Sequence, residues 1–329
     1  MIDAPDGKPY AFVPLNVSDR TEVATAPPHD RFAPGEAYTG YLQLRLKALG
    51  PVTVLSGELA GSEAHGIYAA MTHQADRPCL PGSSVKGVVR SIAEACAPSC
   101  APQLPGGHPA CARIQGTSRS ACPVCRVFGY SQGHQSYRGR VRMDDFLLQS
   151  QELRVPPSGA DSATVILGIP ALHQPHREVY REGGEARGRK FYFHGSAPEV
   201  GPLRVQAVPA GGTFVGRVYL DNLSRQEAGM LFFALGLDHS IDWKLGYGKP
   251  AYLGSVRPVL TEFHFMTERY GTRVGAAVDP CELASAYAAT GLGWAGVTEA
   301  IASLRQILSP TVQGPAWRRD PTGHGPATY

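Results

Sequence analysis

Between Trp243 and Pro250 the chain reads Trp-Lys-Leu-Gly-Tyr-Gly-Lys-Pro, two glycines one residue apart with a lysine on either side. Glycine turns where a Cβ would clash, and it lets main-chain N–H groups come close to an anion. Lys244 and Lys249 supply counter-charge, so the segment reads as a phosphate-holding loop, with Gly246 and Gly248 giving close approach around Tyr247. A second stretch, Pro81-Gly-Ser-Ser-Val-Lys-Gly-Val-Val-Arg90, sets small hydroxyl residues at the start of a basic helix. A third, Cys122-Pro-Val-Cys125, spaces two thiols so that both can bind one metal ion. Cys100 and Cys111 complete a four-cysteine zinc site, with His108 or Cys96 as alternative ligands. Cys96 falls on the apolar face of a predicted helix and reads as core, and Cys79 and Cys281 are isolated and read as structural. A closed thiolate set leaves no open position for a substrate, so such a zinc would be structural.

The bulk numbers narrow the setting. The chain has 329 residues, 43% of them apolar, with a net charge of only +3. That is enough apolar surface for a sizeable core, and no global basic field points to nucleic acid. Any polyanion site must come from local clusters. Gly 38 and Pro 28 favour turns and insertions over long helices. Five of the seven cysteines lie between Cys96 and Cys125, which fits metal ligation in a reducing compartment better than a disulfide framework. The N-terminus shows no signal-peptide core, and runs such as Met230–Leu235 are too short to span a bilayer. The expectation is a soluble, cytoplasmic protein with no membrane partner.

The elements that must position these residues follow from periodicity. Residues 38–59 alternate through Leu42, Leu44 and Leu46 and then Val52 and Val54, a strand pattern broken at Gly50-Pro51. Residues 60–80 read as a long loop. Ser83 or Ser84 caps a helix running to about Cys96, with Val85, Val89 and Ile92 on one face. Residues 97–125 have no period and need another organiser. Strand character returns over Arg140–Leu148, an insertion spans 156–196, and a strand at Thr213–Leu220 leads through a turn at Asp221-Asn222 into a helix at Ser224–Leu235. A core strand at Ala251–Val259 and helices near 280–290 and 295–308 follow. The pattern predicts an α+β fold, a split β-α-β of ferredoxin-like type, whose sheet face is a common platform for RNA.

Seven pieces in this order resemble the CRISPR-associated RAMP superfamily. They are Pro9–Leu15, Leu80–Gly87, Cys122–Gly129, Gly139–Arg142, Arg189–His194, Phe214–Val218 and Lys244–Lys249. The resemblance runs from about residue 9 to about 258 and is closest to backbone subunits of type III-D-like and type VII RNA-targeting effectors. It implies an RRM-type RAMP core over residues 1–260, with a zinc segment at 97–129, a β-hairpin thumb at 156–196 and a C-terminal helical extension from 261 to 329. It also implies a subunit that polymerises along guide RNA (crRNA) and pairs it with target RNA. Its partners would be copies of itself, other effector subunits and a separate nuclease. Guide-contact residues on this reading are Ser83, Ser84, Lys86, Arg90, Arg126, Arg177, Lys190, His194, Lys244, Gly246, Tyr247, Gly248 and Lys249. Tyr192 and Phe193 could stack bases or form hairpin core, and His173 and His176 lie in the same insertion.

Cutting is the other reading. Slicing members of the superfamily carry an Asp in the loop after the first strand. Here that loop holds Glu58, Glu63 and Asp76; Asp76 stands later than a slicing Asp, and Glu63 is one methylene too long. A guide-processing nuclease would instead use a His such as His65 or His73 as acid or base. The departure at Asp76 and Glu63 favours a non-cutting scaffold.

Overall fold

In a strand every second side chain faces the same way, so alternating leucines and cations must separate an inside from an outside. Leu42, Leu44 and Leu46 of the strand Tyr38–Ala48 are fully buried, while Arg45 and Lys47 between them are exposed. This strand is the centre of the main sheet of the computed structural model, which describes residues 5, 7–15, 24–25, 37–102, 104, 111, 120–132, 135–149, 163–170, 172, 180–198, 201–266, 268–269, 272–273 and 278–315. Thr213–Leu223 flanks it on one side and Ser255–Phe265 on the other, both antiparallel. Val141–Met143 and Phe146–Leu148 pair with the far edge of Thr213–Leu223, followed by Arg77–Leu80 and His73–Gln74. Trp243–Lys244 borders Ser255–Phe265.

Helix α1 (Gly82–Ala95) lies in the chain between the central strand and Val141–Leu148. The short helix α2 (Pro123–Phe128) follows the cysteine segment, and α3 (Arg225–Ala234) joins Thr213–Leu223 to Ser255–Phe265. The core thus runs β-α-β-β-α-β, with its strands side by side in the order fourth, first, third, second. Val85, Val89 and Ile92 of α1 pack into the same core as the leucines. Helices α4 (Pro280–Thr290) and α5 (Val297–Leu308) pack behind α3 and α1, so all the long helices cover one face.

Three expectations need correction. Residues 60–80 are not a loop: Leu55–Ser62 and Gly66–Met71 form a hairpin, and His73–Gln74 turns back onto Arg77–Leu80. Its faces are largely exposed, Leu59 being 74% and Ile67 73% accessible, so no apolar alternation marks it. The segment 156–196 does not fold as one hairpin among the described residues. Val165–Ile169 pairs with Leu203–Ala207, which lies parallel to Gly66–Met71, whereas Arg189–Tyr192 pairs with Tyr10–Val13. The last core strand is Ser255–Phe265 and not Ala251–Val259, because Lys249–Ala251 closes a 3-10 turn.

The start of α1 also differs from its reading. Neither Ser83 nor Ser84 caps it; Pro81 occupies the cap position, and the Gly82 N–H donates to the Asp145 carboxylate at 2.7 Å. A Cβ on Gly82 would stand 2.3 Å from the Met143 carbonyl oxygen, so glycine is required by close packing. Helix α3 begins with a capping box: the Ser224 hydroxyl accepts from Glu227 N–H, and the Glu227 carboxylate accepts from Ser224 N–H. That carboxylate is 3% exposed and also takes Arg126 at 2.8 Å and Arg140 at 2.6 Å. Burial pushes its pKa up, but Arg140 and Arg126 outweigh burial and hold it below the usual carboxylate value.

Glu227→Gln leaves two guanidinium groups facing a neutral side chain in the interior. The expected loss is about 3 kcal/mol or more of unfolding free energy. Urea unfolding at neutral pH measures it, and a loss below about 1 kcal/mol, the scale of an exposed pair, would show that the node does not hold the fold.

Candidate nucleic-acid interface

The glycine-rich loop is clasped to the sheet by its own backbone. Leu245 N–H donates to Gly254 O, Tyr247 N–H to Thr53 O and Leu253 N–H to Gly248 O, at 2.8, 2.9 and 3.1 Å. Gly246 has φ +85°, and a Cβ there would stand 2.0 Å from the Thr53 oxygen. Its close approach is therefore to the protein's own chain, and it makes the loop rigid. That rigid loop walls a cleft of about 650 Å³ lined by Ser84, Gly87, Val88 and Ser91 of α1, by Lys190–Tyr192, and by Lys244, Gly246, Tyr247 and Lys249. The glycine-rich loop and the first helix, far apart in the chain, meet at one site. A second cleft of about 910 Å³ adjoins it through Ser91, Lys190 and Phe191.

Three lysines define the cleft's electrostatics. Lys244 is 6% exposed, and its Nζ donates to Tyr252 O and Ser255 Oγ, each at 3.0 Å. Burial first, and then the like charge of Lys249, pull its pKa down to about 7. Lys190 donates to the Tyr180 hydroxyl at 2.9 Å and sits 4.5–5.0 Å from the ring centres of Tyr10, Tyr180 and Tyr192. Burial, then Lys249, lowers it to about 8. Lys249 donates to Gly246 O at 3.1 Å, and burial lowers its pKa as well. Desolvated ammonium groups that repel one another favour an anion that would share them.

Behind Lys244 runs a directed chain of hydrogen bonds. Ser255 Oγ, having accepted from Lys244, lies 3.0 Å from His194 Nδ1, and His194 Nε2 lies 3.2 Å from the Leu308 carbonyl. A carbonyl can only accept, so Nε2 carries a proton. Burial, then Lys244, pushes His194 down to about 4. The motif resemblance puts His194 at RNA; it is instead 4% exposed and ties the end of α5 to the sheet.

Other expected contacts are likewise committed within the fold. Arg126 is bound to Glu227 and to the Ala121 carbonyl. Lys86 donates to the Val141 carbonyl at 2.9 Å, and Arg90 to Glu94 and the Gly129 carbonyl at 2.8 and 3.0 Å. Phe193 is buried and belongs to the core. Ser83 is exposed on the first turn of α1. Arg177, His173, His176 and His108 lie outside the described residues. Glu63 and Asp76 sit in the turns of two separate hairpins, both exposed. Ala75 and Asp76 have φ of 48° and 61°, the left-handed pair that a tight hairpin turn needs and that Asp tolerates. His65 and His73 are exposed in the same hairpins.

The four cysteines expected to bind metal do meet. The Sγ atoms of Cys100, Cys111, Cys122 and Cys125 all lie within 4.8 Å of one another. Cys100 is 3.6 Å from Cys125 and 4.0 Å from Cys122, near the roughly 3.8 Å separation that a tetrahedral ion with bonds of about 2.3 Å imposes. Cys122 N–H points at the Cys111 sulfur at 3.2 Å, and Cys125 N–H at the Cys122 sulfur at 3.5 Å. The surrounding thiols of Cys100, Cys111 and Cys125 hold Cys122 well below the usual thiol pKa. Arg189 donates to the Cys100 carbonyl at 3.0 Å and to Glu94 at 2.7 Å, while Glu94 also takes Arg90. The donor set thus fits a metal ion, and two guanidinium groups stand ready to offset the charge of a four-thiolate centre. Cys96 is fully buried core, and burial pushes the Cys79 thiol up to about 11.

A model of the RAMP superfamily matches residues 45–252, a span that runs from the central strand to the end of the glycine-rich loop. The match covers more than half of the chain, and the protein belongs to that superfamily. No curated protein matches it. Among solved structures it is similar to a chain of a Type IV-B CRISPR complex, with 17% identity and a TM-score of 0.37 over 67% of this chain and 90% of that one. Among the described residues no helix is long and apolar enough to cross a membrane.

Sequence reading named Tyr192 and the motif that holds Tyr10, but not Tyr180 or the gathering of all three rings around Lys190. The aromatic motif Pro9–Leu15 was the available signal. Filling the cleft with a polyphosphate should raise the pKa of Lys190 and Lys244, so binding near pH 8 should take up protons and weaken between about pH 7 and pH 9. Titration calorimetry in two buffers of different ionisation heat reads this directly; equal heats would show that neither lysine meets the anion. In the free protein the unfolded chain binds more protons at these groups, so their contribution to stability improves from about pH 7 towards pH 10.

Proposed function

We propose that this chain is a guide-RNA-binding structural subunit of a CRISPR effector complex, one that assembles in several copies along crRNA and presents it to target RNA. The observation that carries this reading is the convergence of Ser84, Lys190, Lys244, Tyr247 and Lys249 on one rigid cleft, all within the superfamily match. Backbone phosphates are the anion that such a cleft suits, because contacts of this kind position a strand without reading its sequence. Lys249 lines the cleft and is half-buried, and Lys244 acts from beneath through field and rigidity. The strand order fourth, first, third, second supports a ferredoxin-like, RRM-type core. The type III-D-like or type VII subtype rests on the motif resemblance alone. Head-to-tail contacts between copies would make an open filament whose length the guide sets.

The test is coexpression with a repeat-containing RNA. A particle holding several copies per RNA is expected; a one-to-one complex by sedimentation would overturn the polymer. Lys249→Glu should weaken guide binding and flatten the log–log salt dependence by about 0.7 for each phosphate that the loop no longer neutralises. Unchanged affinity and slope would mean that the loop does not touch RNA.

For the cysteine cluster we propose zinc, since four soft thiolates in a closed set suit that ion. One zinc per chain is expected by elemental analysis. Cys122→Ser should lower that content and loosen the segment around Cys111, and zinc-free protein purified without chelator would remove the assignment.

The assembled complex is expected to bind complementary RNA without cutting it. Asp76 is placed for its turn and Glu63 for another, so neither has a second carboxylate partner to share a metal with in its own hairpin turn. Regular cuts in labelled target with Mg²⁺, abolished by Asp76→Ala or Glu63→Ala, would make this subunit the nuclease.

A further inference from the structure

Lys244 has a setting that phosphate binding alone does not require. Its Nζ donates to two acceptors, the Tyr252 carbonyl and Ser255 Oγ, each at 3.0 Å. A neutral amine has two hydrogens and one lone pair, so these two bonds use both hydrogens and leave the lone pair. Ser255 could cap that lone pair with its own proton, but His194 claims the proton first. The Leu308 carbonyl fixes one proton on His194 Nε2, and burial, the larger cause of its lowered pKa, keeps the ring from taking a second near neutral pH. His194 Nδ1 is then a bare acceptor, 3.0 Å from Ser255 Oγ, in a side chain that is 4% exposed. A buried acceptor is costly to leave unmet, so the Ser255 hydroxyl donates to it. Among the described residues the Lys244 lone pair stays unclaimed.

The cleft around that nitrogen suits one kind of reaction partner. Lys244 lines it together with Lys190 and Lys249, and among its described lining residues none is acidic. Asp242, whose charge reaches His194, is held by Arg257 at 2.9 Å. An anion entering the cleft therefore meets cations and then a reactive amine. Desolvation and a neighbouring cation are the two influences that turn a lysine into a nucleophile near neutral pH, and both act on Lys244, whose pKa is pulled down to about 7. The other two lysines differ. Lys190 Nζ faces the Tyr180 hydroxyl at 2.9 Å, a group that can donate back to a neutral amine. Lys249 uses one N–H on the Gly246 carbonyl and keeps the others for an anion.

We infer that Lys244 is a modification site, acylated by small acyl phosphates that dock their phosphate on Lys249. This rests on the reading of the cleft as an anion site. In the step the Lys244 lone pair forms a bond to the acyl carbon, and the bond from that carbon to the phosphoryl oxygen breaks. The electron pair of the broken bond leaves with inorganic phosphate, which also takes one proton from the nitrogen. At 6% exposed, Lys244 is open to small reagents from the cleft of about 650 Å³ and closed to bulky ones. The product is an amide, so the cleft loses a cation and its hold on a polyanion weakens.

The test is to incubate the full chain with acetyl phosphate near neutral pH and to follow acetyl-lysine at each position by peptide mass spectrometry. Lys244 should react about tenfold or more faster than Lys47, which is exposed on the central strand, because the neutral fraction of the amine sets the rate. In urea the two lysines should react alike, since the preference belongs to the fold. Pyrophosphate should protect Lys244 in the folded chain, and Lys249→Glu, which removes the docking cation, should slow its acylation. Equal rates at Lys244 and Lys47 in the folded chain overturn the inference. So does fast acylation of Lys244 that pyrophosphate does not slow and that an uncharged acetyl ester matches, because the amine would then react without a phosphate dock. Acetylation confined to Lys190 or Lys249 overturns it too. The reading of the cleft as an RNA site is tested apart from this. Guide binding lost in Lys249→Glu, in a chain whose parent shows no preference for Lys244, leaves the RNA cleft standing and removes the modification site. Protection of Lys244 by pyrophosphate but not by guide RNA supports the modification site and removes RNA from the cleft.

Discussion

Glu227 joins three parts of the chain through one buried carboxylate. Its carboxylate caps the first turn of α3, anchors Arg126 of the short helix that carries Cys125, and binds Arg140 of the turn that enters the sheet. Arg140 then spreads that order, donating to the carbonyls of Asn222 and Arg126. A buried charge is tolerated only when it is paired and hydrogen-bonded, so each partner must arrive in a set place. Helix α2 carries Cys125, Cys125 meets Cys100, and the Cys100 carbonyl holds Arg189, the neighbour of Lys190. The position of one lysine in the cleft thus traces back through hydrogen bonds to a carboxylate on the other side of the cysteine cluster.

The cleft itself opposes folding. Lys190, Lys244 and Lys249 are all lowered by burial, and the first two are lowered further by the charge of Lys249. A protein gains nothing for its stability by grouping three desolvated ammonium groups. The arrangement is retained at a cost that an incoming polyanion would offset, which is the pattern expected where binding is prepared before the ligand arrives. The rigid loop supports the same reading: with Tyr247 and Leu245 clasped by backbone bonds, little conformational entropy remains to be lost on binding.

What was legible in the sequence was local. The helix expected from Ser224 is α3, and the apolar spacing of Val85, Val89 and Ile92 announced α1. Cys122 and Cys125 announced a chelating pair. The sequence could also show that the glycine-rich loop and the first helix were basic, but not which cations would be spent inside. Arg126, His194 and Lys86 are consumed by partners that stand 101, 61 and 55 residues away in the chain. The hairpin Leu55–Met71 lacked the alternation that betrays a half-buried strand, because neither of its faces is well covered.

The cysteine cluster bears on the cleft through charge as well as connectivity. Four thiolates around a divalent ion carry a net negative charge, and Arg90 and Arg189 stand beside them, with Glu94 bridging the two guanidinium groups. Without an ion the thiols must stay largely protonated in a buried setting, and the guanidinium groups lose part of what they were placed to offset. Cys111 stands outside the α-helices and strands, so a metal would supply there the order that hydrophobic periodicity supplies elsewhere. Arg189 sits on the strand Arg189–Tyr192, directly before Lys190, and pairs with Val13 at the end of the N-terminal strand. Arg189 thus links the Cys100 carbonyl to the strand that carries one wall of the cleft. The cysteine cluster and the cleft are one residue step apart in the chain, Arg189 touching the first and Lys190 lining the second.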